Sequence, residues 1–268
     1  MGPISNISSR LSKRIQLTDG EVRFLNSLTL HPAKMERGRL IQGAGEPVTH
    51  AFVLLSGWAM TFSDFSDGSR QIRRLHFPGD LLAMPSMAMR RHAENIEALT
   101  DVVFACFERR KLAELFAAYP RIAIIMFIFA QEERITYGDR LCSIVRSPCK
   151  ARIAFLILDI LARLRAVDPS VTRSFEMHLT RAQMAEVTGM TPVHASRMWS
   201  ELVGEGLIST DNGCVTVEDE AGLVALSGFS SRNSALDFSW VPEPDGIAPP
   251  SPVLAVPRRQ FAGLRGPA

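Results

Sequence analysis

The chain has 268 residues, a length for one or two domains. Its hydrophobic share of 46% and charged share of 22% are ordinary for a folded protein, and a formal net charge of +2 excludes a strongly basic nucleic-acid coat. No run approaches the ~18 apolar residues of a membrane span, so no membrane partner is expected; the longest covers residues 122–130.

Residues 1–19 are polar and are expected to be a flexible N-terminus. They hold no apolar core or cleavage-like site, so no secretion signal is expected, and the cytoplasm is the expected compartment. Residues 19–30 read as a short amphipathic helix with Val22, Leu25, Leu28 and Leu30 apolar. From Arg37 the pattern changes to short strands and turns. A strand and a Gly-rich turn fill 38–47, and two apolar strands in 49–65 are split by Ser56-Gly57. Asp67-Gly68 is a hairpin turn signal, Ile72, Leu75 and Phe77 alternate with polar residues, and Pro78-Gly79-Asp80 ends that strand. Residues 95–107 are strand-like again. Many short strands at this spacing predict an N-terminal antiparallel roll, jelly-roll-like, in a chain of the α+β class.

Helical patterning follows. Residues 109–117 form one candidate, and Pro120 opens a long one running to about 145. Its first half is apolar nearly all round, at Ile122, Ile124, Ile125, Met126, Phe127, Ile128 and Phe129. Such a helix must be covered on more than one side, by the roll and by a second subunit. Ser147-Pro148 marks a hinge, and 150–164 is strongly amphipathic.

Residues 178–208 read as two helices joined by a tight turn. Thr180 is a good N-cap, and Gln183 completes a capping box. Ala182, Met184, Ala185 and Val187 give the first helix its apolar side, and Gly189 breaks it. Thr191 caps the second helix with Pro192 at its first position. Ala195, Met198, Trp199 and Leu202 follow the spacing of a buried stripe, leaving Val193, His194, Ser196, Arg197 and Ser200 on the other face. Helix, Gly-containing turn, helix is the pattern of a DNA reader whose second helix enters the major groove. Asp211-Asn212-Gly213 then predicts a small hairpin, a wing. From about 227 the chain is rich in Ser and Pro, and the tail 227–268 is expected to be disordered.

Charge does not by itself argue for DNA. Residues 147–226 hold seven Lys/Arg against ten Asp/Glu, a balance of −3. The local pattern is more favourable: Arg173, Arg181 and Arg197 lie in or near the helix pair, while Glu218, Asp219 and Glu220 lie beyond it. The four cysteines, Cys106, Cys142, Cys149 and Cys214, match no zinc or iron–sulfur spacing and are expected as reduced thiols.

A roll, a long helix and a winged helix pair, in that order, resemble the Crp/Fnr family of bacterial transcription regulators. The resemblance covers about residues 20–226. It is carried by LLSGWA at 54–59, HFPGDLL at 76–82, IEALTDV at 96–102 and, most specifically, the block at 179–208. It implies a cyclic-nucleotide-binding-like sensor roll over 20–118, a dimerisation helix over 119–146 and a winged helix-turn-helix domain over 147–226. Its implied partners are a second copy, a palindromic promoter site in double-stranded DNA, RNA polymerase and a small-molecule effector. No cofactor, metal or enzymatic role is implied. By position, an effector would meet Met84, Ser86, Arg91 and His92.

The departures narrow the signal. cAMP-responsive members carry a Gly-Glu pair where this chain has Ala83 and Met84, and an Arg-Ser near His92-Ala93, with Arg91 one position early. The carbon monoxide sensors hold haem through Cys and His in the loop where Ala83 and Pro85 stand, and the oxygen sensors carry an N-terminal cysteine cluster where this chain has none before Cys106. In the reading helix many members present Glu where Val193 stands, while Arg197 keeps the family's Arg. The expected DNA contacts are Arg197, His194, Ser196, Thr191 and Val193, with Arg181 and Gln183 of the preceding helix toward the backbone. For Arg197 the alternative is a surface ion pair with Glu201, and for Gln183 its capping role alone.

Two other functions stay open at this point. One is a cAMP-dependent member of the same family. The other is a metal-dependent cupin-like enzyme, for which His50, His76 and His92 would be the ligands, although no His-x-His occurs. The arginines at 70, 73, 74, 90 and 91 fit either an anion site or a solvated strand face.

Overall fold

The computed structural model describes residues 7–232 and 235–244. Two short helices, α1 (Ile7–Ser12) and α2 (Asp19–Ser27), lead into eight strands: β1 (Pro32–Met35), β2 (Leu40–Gln42), β3 (His50–Ser56), β4 (Ala59–Asp64), β5 (Arg70–His76), β6 (Leu81–Leu82), β7 (Asn95–Ala98) and β8 (Val102–Glu108). They form two four-stranded antiparallel sheets, ordered β1-β8-β3-β6 and β2-β7-β4-β5. The sheets face each other across Phe52, Leu54, Ala59, Leu82, Ile96, Ala98 and Phe104.

The alternation along β3 explains its unbroken apolar sequence. Phe52 and Leu54 point into the roll, while Ala51, Val53 and Leu55 point outward to a second core built with the helices. A strand covered on both faces has no polar side to show. The helices that cover it are α1, α2, α3 (Arg109–Ala118) and the start of α4 (Pro120–Arg146), through Leu11, Leu25, Leu115, Ile122 and Ile125.

α4 runs 27 residues, about 40 Å at the helical rise. At Ser147-Pro148 the chain turns into α5 (Cys149–Val167). The C-terminal domain then adds β9 (Ser174–Glu176), α6 (Arg181–Thr188), α7 (Pro192–Gly204), β10 (Ile208–Asp211), β11 (Cys214–Val217) and α8 (Glu220–Ser227). The strands form a sheet ordered β10-β11-β9, whose hairpin turns at Asn212-Gly213, both with positive φ. The core of this domain is continuous with the outer face of the second sheet: Met60, Phe62, Ile72 and Leu75 join Ile157, Leu161, Met184, Trp199 and Leu202 in one cluster.

Two expectations are corrected. The N-terminus is ordered from Ile7: Ile7 and Leu11 are buried against the α2–α4 layer, an apolar pair one helical turn apart that a polar average hides. The tail is not uniformly free of structure. Phe229, Leu236, Phe238 and Val241 pack on the body, and Arg232 pairs with Asp139. The prolines at 249, 250, 252 and 257 lie outside the described residues. Among the described residues no single helix is long and apolar enough to cross a membrane. All four cysteines are free.

Candidate nucleic-acid interface

The two helices of the reader are fixed by their ends. Thr180 Oγ1 accepts the Gln183 amide N–H at 3.1 Å, and Gln183 Oε1 accepts the Thr180 N–H at 2.9 Å, which closes the capping box. Gly189 ends α6 at φ 65°, and its amide donates to Ala185 O. A Cβ there would also come within 3.2 Å of Ile144 on α4, so the turn lies against the long helix. Thr191 Oγ1 then accepts the His194 N–H at 3.3 Å and starts α7.

The buried stripe of α7 is Ala195, Met198, Trp199 and Leu202, and α6 buries Met184, Ala185, Val187 and Thr188. Ala182, expected on the apolar side, is exposed, because it lies half a turn from Met184. The opposite face of α7 is open to solvent. Thr191, Val193, His194 and Arg197 are exposed and Ser196 is half-buried; Val193 reaches 80% exposure. Arg197 Nε donates to Glu201 Oε1 at 3.1 Å, one turn along the same helix. An exposed pair of this kind contributes about 0–1 kcal/mol, so it holds Arg197 only weakly.

Arg181 departs from its expected placement. Its guanidinium stacks on the Trp199 ring at 3.9 Å, and a nitrogen donates to Met184 Sδ at 3.1 Å. Burial lowers its pKa without neutralising it. The residue buttresses α7 through a ring that sequence spacing places only in the core. Gln183 keeps its capping role, with its amide nitrogen left to donate.

The domain's acids are largely engaged elsewhere. Glu220 takes both terminal nitrogens of Arg165 at 2.8 Å, Glu205 takes Lys150 at 2.6 Å, and Asp159 takes Arg140 at 2.8 Å. Their charge is matched within the domain or by α4, away from the head of α7. Two of these pairs take up bases of the same domain, so its −3 balance stands; what favours the reading face is the placement of Arg197 and His194 on the exposed side of α7.

In the roll, the four expected effector residues differ in burial and partners. Met84 and Ser86 belong to a 3₁₀ turn, Met84–Ala88. Met84 packs toward the helical core, and the buried Ser86 Oγ accepts the Ala93 N–H at 3.2 Å. Arg91 is exposed and donates to the Gly45 carbonyl at 2.7 Å. His92 is buried, and neither ring nitrogen has a partner. Burial depresses its pKa against the pull of Glu46. Ala83 holds φ 63°, the left-handed geometry that glycine adopts more readily. The arginines of β5 also separate. Arg73 pairs with Glu94 at 2.6 Å and Arg70 with Glu97 at 3.3 Å, while Arg74 points the other way, to Glu133 and Asp80. His50, His76 and His92 form no joint site, and no group of three metal-binding side chains occurs among the described residues.

Comparison with known proteins finds two domain families along the chain. Residues 151–226 match the Crp-like helix-turn-helix domain, and residues 32–119 match the cyclic nucleotide-binding domain. The chain is 25% identical over 216 residues to the transcriptional activator protein Anr of Pseudomonas aeruginosa, spanning 80% of this chain and 87% of that protein. It is 22% identical over 225 residues to the anaerobic regulatory protein of Pasteurella multocida, spanning 84% and 82%. Among solved structures, FixK2 from Bradyrhizobium japonicum superposes with a TM-score of 0.67 at 21% identity, over 75% of this chain and 98% of that one. At that identity the likeness carries the fold.

Proposed function

Because the chain belongs to the Crp/Fnr family of DNA-binding transcription regulators, we propose that it works as a homodimer on a palindromic promoter site. In this reading α7 enters the major groove. Arg197 addresses a guanine, Val193, His194 and Ser196 meet neighbouring base edges, and Thr191 and Gln183 meet phosphates. The observation that carries it is the open face at the head of α7. It is capped by Thr191 and backed by Trp199, on which Arg181 stacks.

The second copy is supported by α4. Phe127, Ile135, Leu141 and Val145 are between 48% and 67% exposed and lie along one side of that helix. This is the seam a parallel pair of helices would bury. Two reading helices set about 34 Å apart would meet successive major grooves, with half-site centres about 10 base pairs apart. The proposal extends to the cytoplasm as the compartment and to RNA polymerase as the protein met at the promoter.

The test is the duplex selected by the protein from randomised sequence, titrated by fluorescence anisotropy at one fixed salt concentration. Arg197→Ala should weaken binding by ~1–3 kcal/mol per half-site and relax the preference at one position. Unchanged affinity and selectivity would remove Arg197 from the readout.

A further inference from the structure

Three guanidiniums crowd one buried carboxylate where the roll, α4 and α5 meet. Asp80 closes the turn after β5 and is almost fully buried. It accepts from Arg10 on α1 and, at 2.8 Å, from Arg163 on α5; Arg74 on β5 lies 3.9 Å away. Burial alone would raise the Asp80 carboxyl, but the three arginines outweigh it and hold it far below the ordinary carboxylate range. Arg74 also donates to Glu133 on α4, and Arg140 is matched by Asp159. Arg10 and Arg163 are left sharing one carboxylate.

Beside this cluster lies a cleft between α1, β5, α4 and α5. Five arginines and three carboxylates line it; with Arg140 matched by Asp159, one positive charge is left over. Arg14, one of the five, makes no side-chain ion pair or hydrogen bond among the described residues. The half-buried rings of Phe129 and Tyr137 form its apolar walls, with Arg10 over Phe129 at 5.6 Å, while Arg163 covers the buried Phe77 at 4.5 Å. The α4 residues that line the cleft, such as Phe129, Glu133 and Arg140, face the chain's own body. They lie opposite the exposed strip at Phe127, Leu141 and Val145, so a second copy on that strip leaves the cleft open.

We propose that this cleft is an effector site for a small organic oxyanion with a flat apolar body. Its carboxylate or phosphate is held by Arg10, Arg14 and Arg163, and its body lies against the half-buried Phe129 and Tyr137. The site is separate from the 84–92 region of the roll. An anion there competes with Asp80 for Arg10 and Arg163. Arg163 also donates to the Leu75 carbonyl at 2.8 Å, so it ties the first helix of the DNA-binding domain to the roll. Re-pairing that one arginine changes how α5, and α7 behind it, is held.

The binding arm uses calorimetry on the full chain at constant ionic strength, with phenyl phosphate and benzoate as probes and benzyl alcohol as the neutral control. We expect saturable binding of one anion per chain with a Kd below about 10 mM, which suits so small a ligand. The alcohol should not bind, and the tighter of the two anions identifies the head group. Arg14→Gln removes an unpaired side chain and should keep the fold while weakening the anion at least about ten-fold. No saturable binding of either anion, or equal binding by the variant, overturns the site. The second arm measures affinity for the selected duplex with and without saturating anion. A shift of about five-fold or more that Arg14→Gln lacks supports the effector role. Saturable binding that leaves DNA affinity unchanged overturns that role. The first arm stands even if the chain bound no DNA, so the two readings fail separately.

Discussion

Val193 sits in the first turn of α7, at 80% exposure, where the neighbouring side chains His194 and Arg197 are polar. Its isopropyl group can neither donate nor accept, so its contribution at a base edge is apolar contact, and the thymine methyl is the group in the major groove that rewards it. A carboxylate at the same place would instead accept from the cytosine amino group. Selection from randomised duplexes should therefore return a T·A pair at one position of each half-site, and Val193→Glu should move that position toward C·G while the guanine addressed by Arg197 stays. An unaltered preference in the variant would remove Val193 from the readout. This exposed face was legible from spacing alone, since the buried stripe of α7 fixes which residues remain. Arg181 was not, because its stacking on Trp199 joins two helices whose relative placement no local pattern contains.

Among the elements, α4 holds the strongest prediction. Leu141 is 62% exposed with Val145 one turn on and Gly138 one turn back, and a Cβ on Gly138 would meet nothing within 4 Å. A charge placed in the middle of that strip would be desolvated without a partner when two copies meet, at a cost of several kcal/mol. Leu141→Glu should therefore give a monomer by sedimentation velocity with an unchanged helical circular dichroism spectrum, because the side chain leaves the chain's own core intact. A variant that remained dimeric would place the interface elsewhere. The side of this helix that the roll and α1–α3 cover was readable in Ile122, Ile125 and Ile128, as was the roll from its turn signals. The strands β1 and β9 were not. Each is only three or four residues long, too short for a pattern to stand out, and each pairs with a longer neighbour, β8 or β11. The same holds for α1, whose six residues gain order from the layer they cover rather than from propensity.

Across the whole molecule, the C-terminal segment joins parts that the sequence order separates. From the end of α8 the chain crosses back over the α4–α5 junction. Phe229 meets Phe155 of α5 at 5.2 Å, Arg232 makes two hydrogen bonds to Asp139 of α4 at 2.6 and 2.9 Å, and Phe238 meets Phe129 at 5.8 Å. Val241 is buried in the core that α1, α2 and β3 share. A segment rich in Ser and Pro cannot build a core, but it can lay a few large side chains onto one already built, and composition averages those few away. Two kinds of contact hold it. The Arg232–Asp139 pair is exposed and contributes about 0–1 kcal/mol. Each large apolar side chain, when fully buried, contributes ~1.5–3 kcal/mol before its ordering entropy is deducted. The apolar contacts should dominate. Arg232→Ala is expected to shift the thermal midpoint by no more than about 2–4 °C, whereas ending the chain after Ser227 should lower it by about 5–10 °C, both read by scanning calorimetry. If the two changes were equal, the charge pair rather than the rings would be what holds the C-terminal segment against the hinge.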